Sequence, residues 1–186
     1  MIRNSGMTLL EVIVAMALLS LLLAAAAPSL SGIIEQRRGD ETIRLLREAI
    51  ELTRAAAIGS GSLATLCRSG DGASCGGRWE EGMIVFIDGD GNRVPDTAGA
   101  LVRVFRFPSP TGNIRWRSFG NRQYLQMTPM GFTRNQNGNF TWCPSNGDVR
   151  LARQLIVNAA GRMREALDND GDGVREGANG RPIACD

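Results

Sequence analysis

From Met7 to Leu30 the chain is almost wholly apolar, and this segment constrains the whole molecule. It is broken only by Thr8, Glu11, Ser20, Pro28 and Ser29, and a helix needs about 20 apolar residues to cross a bilayer core. A short polar, basic piece, Met1 to Gly6, precedes it. A secretory signal peptide carries its small-residue cleavage site after the apolar stretch, so any cleavage here is expected before the helix. The expected organisation is a leader at 1–6, a transmembrane helix at 7–30, an amphipathic continuation at 31–60 and a β-rich domain at 61–186.

Glu11 is the residue that gives this segment meaning. An ionised carboxylate inside a membrane span costs on the order of 2.5–3.5 kcal/mol on insertion scales, so it is expected to be paired or functional. Cleavage after Gly6 would free the α-amino group of Met7 one helical turn away, on the same chain or on an adjacent subunit. The stretch Gly6-Met7-Thr8-Leu9-Leu10-Glu11-Val12-Ile13-Val14-Ala15, followed by Pro28, resembles the class III signal of type IV pilins and type II secretion pseudopilins. That resemblance implies cleavage by prepilin peptidase, N-methylation of Met7, a single-pass inner-membrane stage with the globular part in the periplasm, and packing of the helix into a filament. Met7 departs from the family, where phenylalanine is usual.

Past the apolar segment, Ile43, Leu46, Ile50 and Ala57 fall on one face of a helical run, with Arg37/Glu41, Arg44/Glu48 and Arg47/Glu51 spaced to pair on the other. Gly32 and Pro28 predict a weak or bent stretch before it, and Gly59-Ser60-Gly61 a stop. Strands are predicted at Leu63–Cys67, Met83–Ile87, Leu101–Phe107, Ile114–Phe119, Tyr124–Met127, Phe140–Cys143, Leu151–Val157 and Arg162–Ala166, separated by Gly, Pro, Asn and Asp clusters. The fold class is α+β: one long N-terminal helix continuing into a globular domain of antiparallel sheet, a pilin-like fold.

The net charge of +2 conceals a strong asymmetry, because residues 101–164 carry ten arginines against a single acid, Asp148. Such a block points to an anionic partner. The four cysteines, Cys67, Cys75, Cys143 and Cys185, read as two disulfides in an exported domain. Three pairings are open; Cys67–Cys75, closing a Gly-rich loop, and Cys143–Cys185, tying down the tail, are favoured. With no histidine and no closely spaced cysteine pair, zinc is disfavoured. Catalysis is not expected either: no nucleophile stands in a motif with a base, and Glu80 and Glu81, adjacent on an extended backbone, would point apart.

The run Cys75-Gly76-Gly77-Arg78-Trp79-Glu80-Glu81-Gly82-Met83-Ile84-Val85-Phe86-Ile87-Asp88, and the later Leu155-Ile156-Val157-Asn158-Ala159-Ala160-Gly161-Arg162-Met163-Arg164, resemble the GspH/FimT branch of pilin-like proteins. Members of that branch are minor subunits that prime or cap a filament, which implies other pilin or pseudopilin subunits as partners and a place at the tip. Gly161-Arg162-Met163-Arg164 resembles the GRxR motif by which FimT-type minor pilins bind DNA in natural transformation. Two guanidinium groups on one face of an extended segment suit phosphate, and Arg150 and Arg153, with Arg115, Arg117, Arg122 and Arg134, would extend a sequence-independent footprint on double-stranded DNA. The rival is a GspH-like pseudopilin of a type II secretion system.

The acidic tail departs from the family. Asp168, Asp170 and Asp172 occupy alternate positions with Gly173 at the sixth, as in a calcium loop, but Asn179 stands where the bidentate glutamate of an EF-hand belongs; Glu176 is the substitute. Calcium is therefore the one candidate cofactor. Asp88-Gly89-Asp90-Gly91-Asn92 is a fainter echo, with Arg93 in place of the glycine, and is expected to be a plain turn.

Overall fold

The computed structural model describes residues 6–108 and 112–185, apart from the side chains of residues 24–30 and 98. The expected leader therefore lies, save Gly6, outside the described residues. The chain divides into two compact units, residues 1–37 and 38–186.

A single helix, α1, is assigned from Leu9 to Ser60 without interruption at Pro28 or Gly32. Its start is a reciprocal cap that the sequence analysis missed. Glu11 Oε2 accepts from the Thr8 backbone N–H at 2.8 Å and from the Thr8 hydroxyl at 2.9 Å, while Thr8 Oγ1 accepts from the Glu11 N–H at 3.3 Å. Two amide donors that helix geometry orphans are thereby satisfied. Among the described residues no helix is long and apolar enough to cross a membrane. The expected span 7–30 runs through residues 24–30, whose side chains lie outside the description.

In the second unit α1 presents Ile43, Leu46, Ala49, Ile50 and Ala57 to two antiparallel sheets. The strands are β1 (Ala64–Arg68), β2 (Met83–Ile87), β3 (Leu101–Phe105), β4 (Asn113–Ser118), β5 (Tyr124–Met127), β6 (Gly138–Cys143), β7 (Arg153–Val157) and β8 (Met163–Glu165). All eight expected strands are present, with ends displaced by no more than two residues. One sheet has the order β3-β2-β1-β5 and the other β4-β6-β7-β8. The shared core contains Leu66, Val85, Leu125, Leu155 and an aromatic centre in which Trp116 stacks on Phe140 at 4.2 Å and Trp79 meets it edge-on at 4.9 Å.

Gly39 explains how closely α1 approaches the second sheet. A Cβ there would lie 2.7 Å from the indole ring of Trp142, which is fully buried. The helix thus forgoes about 1 kcal/mol of propensity at that position to let the indole seat against its backbone.

The disulfides are Cys67–Cys75 and Cys143–Cys185, the pairings favoured from the sequence. The second anchors a small outer cluster of Cys143, Ala152, Ala166 and Ile183. Two expectations need correction. Glu80 and Glu81 sit on a 3-10 turn, Trp79–Glu81, because burial of Trp79 curls the backbone there, and both carboxylates approach Arg78. Arg47 turns from Glu51 to Glu165 of β8, at 2.7 Å, while Arg44 holds both Glu41 and Glu48.

Candidate functional site

The motif Gly161–Arg164 occupies the turn between β7 and β8 and the start of the edge strand β8. Asn158 builds the turn. Its carbonyl accepts from the Gly161 N–H at 2.9 Å, its side-chain oxygen accepts from the Arg162 N–H at 3.0 Å, and its own N–H donates to the Arg162 carbonyl at 3.0 Å. Gly161 has φ +70°, and a Cβ there would come within 2.7 Å of the Gly131 carbonyl oxygen. Only glycine meets both demands without distortion.

Alternation along β8 then sorts the side chains. Met163 packs against the core and Glu165 meets Arg47 of α1. Arg162 and Arg164 are exposed, and neither has an ion pair among the described residues. Gly161, Arg162 and Met163 also line a groove of about 300 Å³ with Arg47, Ile50, Glu51 and Arg54 of α1.

The remaining expected arginines divide by their partners. Arg150 is held by Asp148 through Nε and Nη2, both at 3.0 Å; the pair raises the guanidinium pKa and lowers the carboxyl pKa through their shared hydrogen bonds. Arg153 does not belong to the exposed set at all. It is 5 % exposed, shares the core-facing side of β7 with Leu155 and Val157, and is bonded to Asp40 and to the Leu151 carbonyl. Arg115 and Arg117 lie on the outer face of β4, whereas Arg134 packs at Gly91 beside the first sheet. Arg122 follows β4 in the turn before β5.

The acidic tail comes together as expected from its spacing: one carboxylate oxygen each from Asp168, Asp170, Asp172 and Glu176 lie within 4.8 Å of one another. Asp168 accepts from the Gly171 and Gly173 N–H groups, and Glu176 Oε2 from both the backbone and the side chain of Asn169. Glu176 Oε1 is buried and has no hydrogen-bond partner among the described residues. Hard oxygen donors with one left unsatisfied fit a calcium ion, which these four residues would hold.

The loop expected to be a plain turn is built the same way. Asp88, Asp90 and Asp96 converge within 4.8 Å, and Arg93 takes the left-handed backbone, φ +69°, that Gly173 has in the tail. Asp96 went unnoticed in the sequence, although it stands at the same ninth position as Glu176. Asp88 is fully buried, accepting from the Thr65 hydroxyl and from Gln126 Nε2.

Residues 42–161 match the protein family described as Type II transport protein GspH, and residues 1–27 match the prokaryotic N-terminal methylation motif. The first match spans more than half of the chain. The chain belongs to the GspH family. Membership carries the pilin architecture of a membrane-anchored helix leading a β-rich domain, and assembly with other pilin or pseudopilin subunits. The GspH match ends at Gly161, one residue before the exposed arginines. Two solved crystal forms of the Pseudomonas aeruginosa type IV minor pilin FimU share the fold. One is 15 % identical with a TM-score of 0.56, covering 83 % of this chain and 99 % of FimU. The other is 17 % identical with a TM-score of 0.50, covering 71 % and 92 %. No curated protein matches the sequence.

Proposed function

We propose that this GspH-family subunit is a minor pilin of a type IV pilus, processed by prepilin peptidase, set at or near the filament tip, and that it holds duplex DNA non-specifically for uptake in natural transformation. The observation that carries the DNA reading is the pair Arg162 and Arg164: both exposed, both without an acidic partner among the described residues, at the start of an edge strand whose Met163 packs on the core and whose Glu165 is held by Arg47. Guanidinium groups grip phosphate oxygens through paired hydrogen bonds and read no base edges. FimU, whose fold the chain shares, is itself a type IV minor pilin. Calcium at Asp168, Asp170, Asp172 and Glu176 is the cofactor we assign to it, with the structural role of stiffening the tail.

The rival, a pseudopilin of a type II secretion system, draws on the description of the family as a type II transport protein. Gel retardation separates the two. The full-length chain in non-ionic detergent retards duplex DNA on the first reading, and the double variant Arg162→Ala, Arg164→Ala does not. Equal retardation by the variant removes the clamp; no retardation by the unaltered chain favours the secretion reading.

A further inference from the structure

The outer face of the second sheet carries more of the basic block than its edge. Register places Arg117 opposite Asn139, Asn139 opposite Ile156 and Ile156 opposite Arg164. Trp116, Phe140, Leu155 and Val157 alternate with them on the core side. The row therefore runs straight across β4, β6, β7 and β8 with an exposed arginine at each end. Three strand spacings of about 4.8 Å set those ends roughly 14 Å apart.

Next to Arg117 the C-terminal residues 177–184 roof a cleft of about 230 Å³ on this same face. Arg115, Arg117 and Arg181 line it, together with the uncharged Asn139, Thr141 and Gln154, and no carboxylate does among the described residues. The roof is fixed in place. Cys185 is bonded to Cys143, Ile183 is 5 % exposed, the Ala178 N–H donates to Gln154 Oε1 at 2.8 Å, and Arg115 donates to the Ala184 carbonyl at 2.9 Å. The floor is ordered too, since Gln154 Nε2 donates to the Thr141 hydroxyl at 2.8 Å and both residues are nearly buried. Neither Arg117 nor Arg181 has an ion pair among the described residues.

Arg117 and Arg181 bring two like charges to one partly covered cleft, where they repel one another, and an anion entering it turns that repulsion into attraction. The cleft is smaller than the sites that take drug-sized ligands, so it suits a single anionic group rather than a whole nucleotide. From this geometry we infer that the cleft under the C-terminal strap is a second phosphate seat, which together with Arg162 and Arg164 grips the backbone of duplex DNA at two points. This inference rests on the DNA reading above. A span of roughly 14 Å well exceeds the axial rise of about 3.4 Å per residue of one strand, so the two seats meet different phosphates and both are within reach of one backbone.

The test is the salt dependence of binding by fluorescence anisotropy, using the full-length chain in non-ionic detergent with a labelled 30-base-pair duplex. Arg117→Ala with Arg181→Ala lowers the slope of log K against log salt by about 2, and affinity at 0.15 M salt by about tenfold or more, while the melting temperature stays within about 2 °C because both side chains are exposed. Arg117→Glu, placing a carboxylate in the cleft, weakens binding further. Unchanged slope and affinity in these variants, with binding lost in Arg162→Ala, Arg164→Ala, overturns the second seat and leaves the edge clamp standing. No binding by the unaltered chain overturns both.

Discussion

At the scale of single residues, the position most sensitive to change in the candidate site is Gly161 rather than either arginine. Arg162 and Arg164 are exposed, and truncating them removes charge without disturbing packing. Gly161 combines a left-handed backbone with a 2.7 Å approach to the Gly131 carbonyl, so Gly161→Ala meets both a backbone penalty of about 1–2 kcal/mol and a steric one. The expected outcome is a loss of about 2 kcal/mol or more in stability, measured by urea unfolding, together with weaker DNA retardation because the Asn158 turn that aims Arg162 opens. Glu11 shows the same dependence of role on surroundings. In a single chain both Thr8 bonds go to one carboxylate oxygen, Oε2. A pair with the Met7 amine of the same chain or of an adjacent subunit can form at Oε1 with that cap in place.

At the scale of elements, the tail loop 168–176 and the loop 88–96 share a construction that neither the helix nor the sheets impose. Successive carboxylates bend back onto backbone N–H groups: Asp90 takes the N–H of Asn92 as Asp170 takes that of Asp172, and Asp96 takes that of Gly89 as Glu176 takes that of Asn169. Crowded anions of this kind repel, and a divalent cation relieves the repulsion. Adding calcium is therefore expected to raise the melting temperature of the chain, with stabilisation of about 2.7 kcal/mol at a hundredfold excess over Kd. Asp170→Asn with Asp172→Asn abolishes the shift, and a calcium-independent melting curve in the unaltered chain refutes the site. The strands themselves were readable because each is a short apolar run closed by Gly, Pro, Asn or Asp, and that punctuation is local. The 3-10 turn at Trp79–Glu81 was not, because what bends it is the burial of Trp79 against Phe140, far away in sequence.

At the scale of the whole molecule, the methylation motif at residues 1–27 stands ahead of the GspH match at residues 42–161. Gly6→Ala is expected to leave the leader attached. In cells with the peptidase, immunoblotting then shows the full-length species in the variant and a shorter one in the parent; mature-sized variant protein counts against peptidase processing at Gly6. The sequence by itself determined the order of helix and strands and the apolar helix with its one acid, and it favoured two cysteine pairs among three open pairings, since all of these rest on local pattern and composition. Only the tertiary structure decided which arginines meet solvent. Arg153, Leu155 and Val157 share one side of β7, and Gln154 and Ile156 the other; with apolar residues on both sides, alternation alone does not say which is inward. That choice came from pairing with β6 and β8 and from Asp40 of α1, which drew Arg153 inside and left Arg164 out. Division of the strands into two sheets, and the strap that brings Arg181 beside Arg115 and Arg117, are likewise long-range, because registers and crosslinks between distant segments leave no periodicity in the chain.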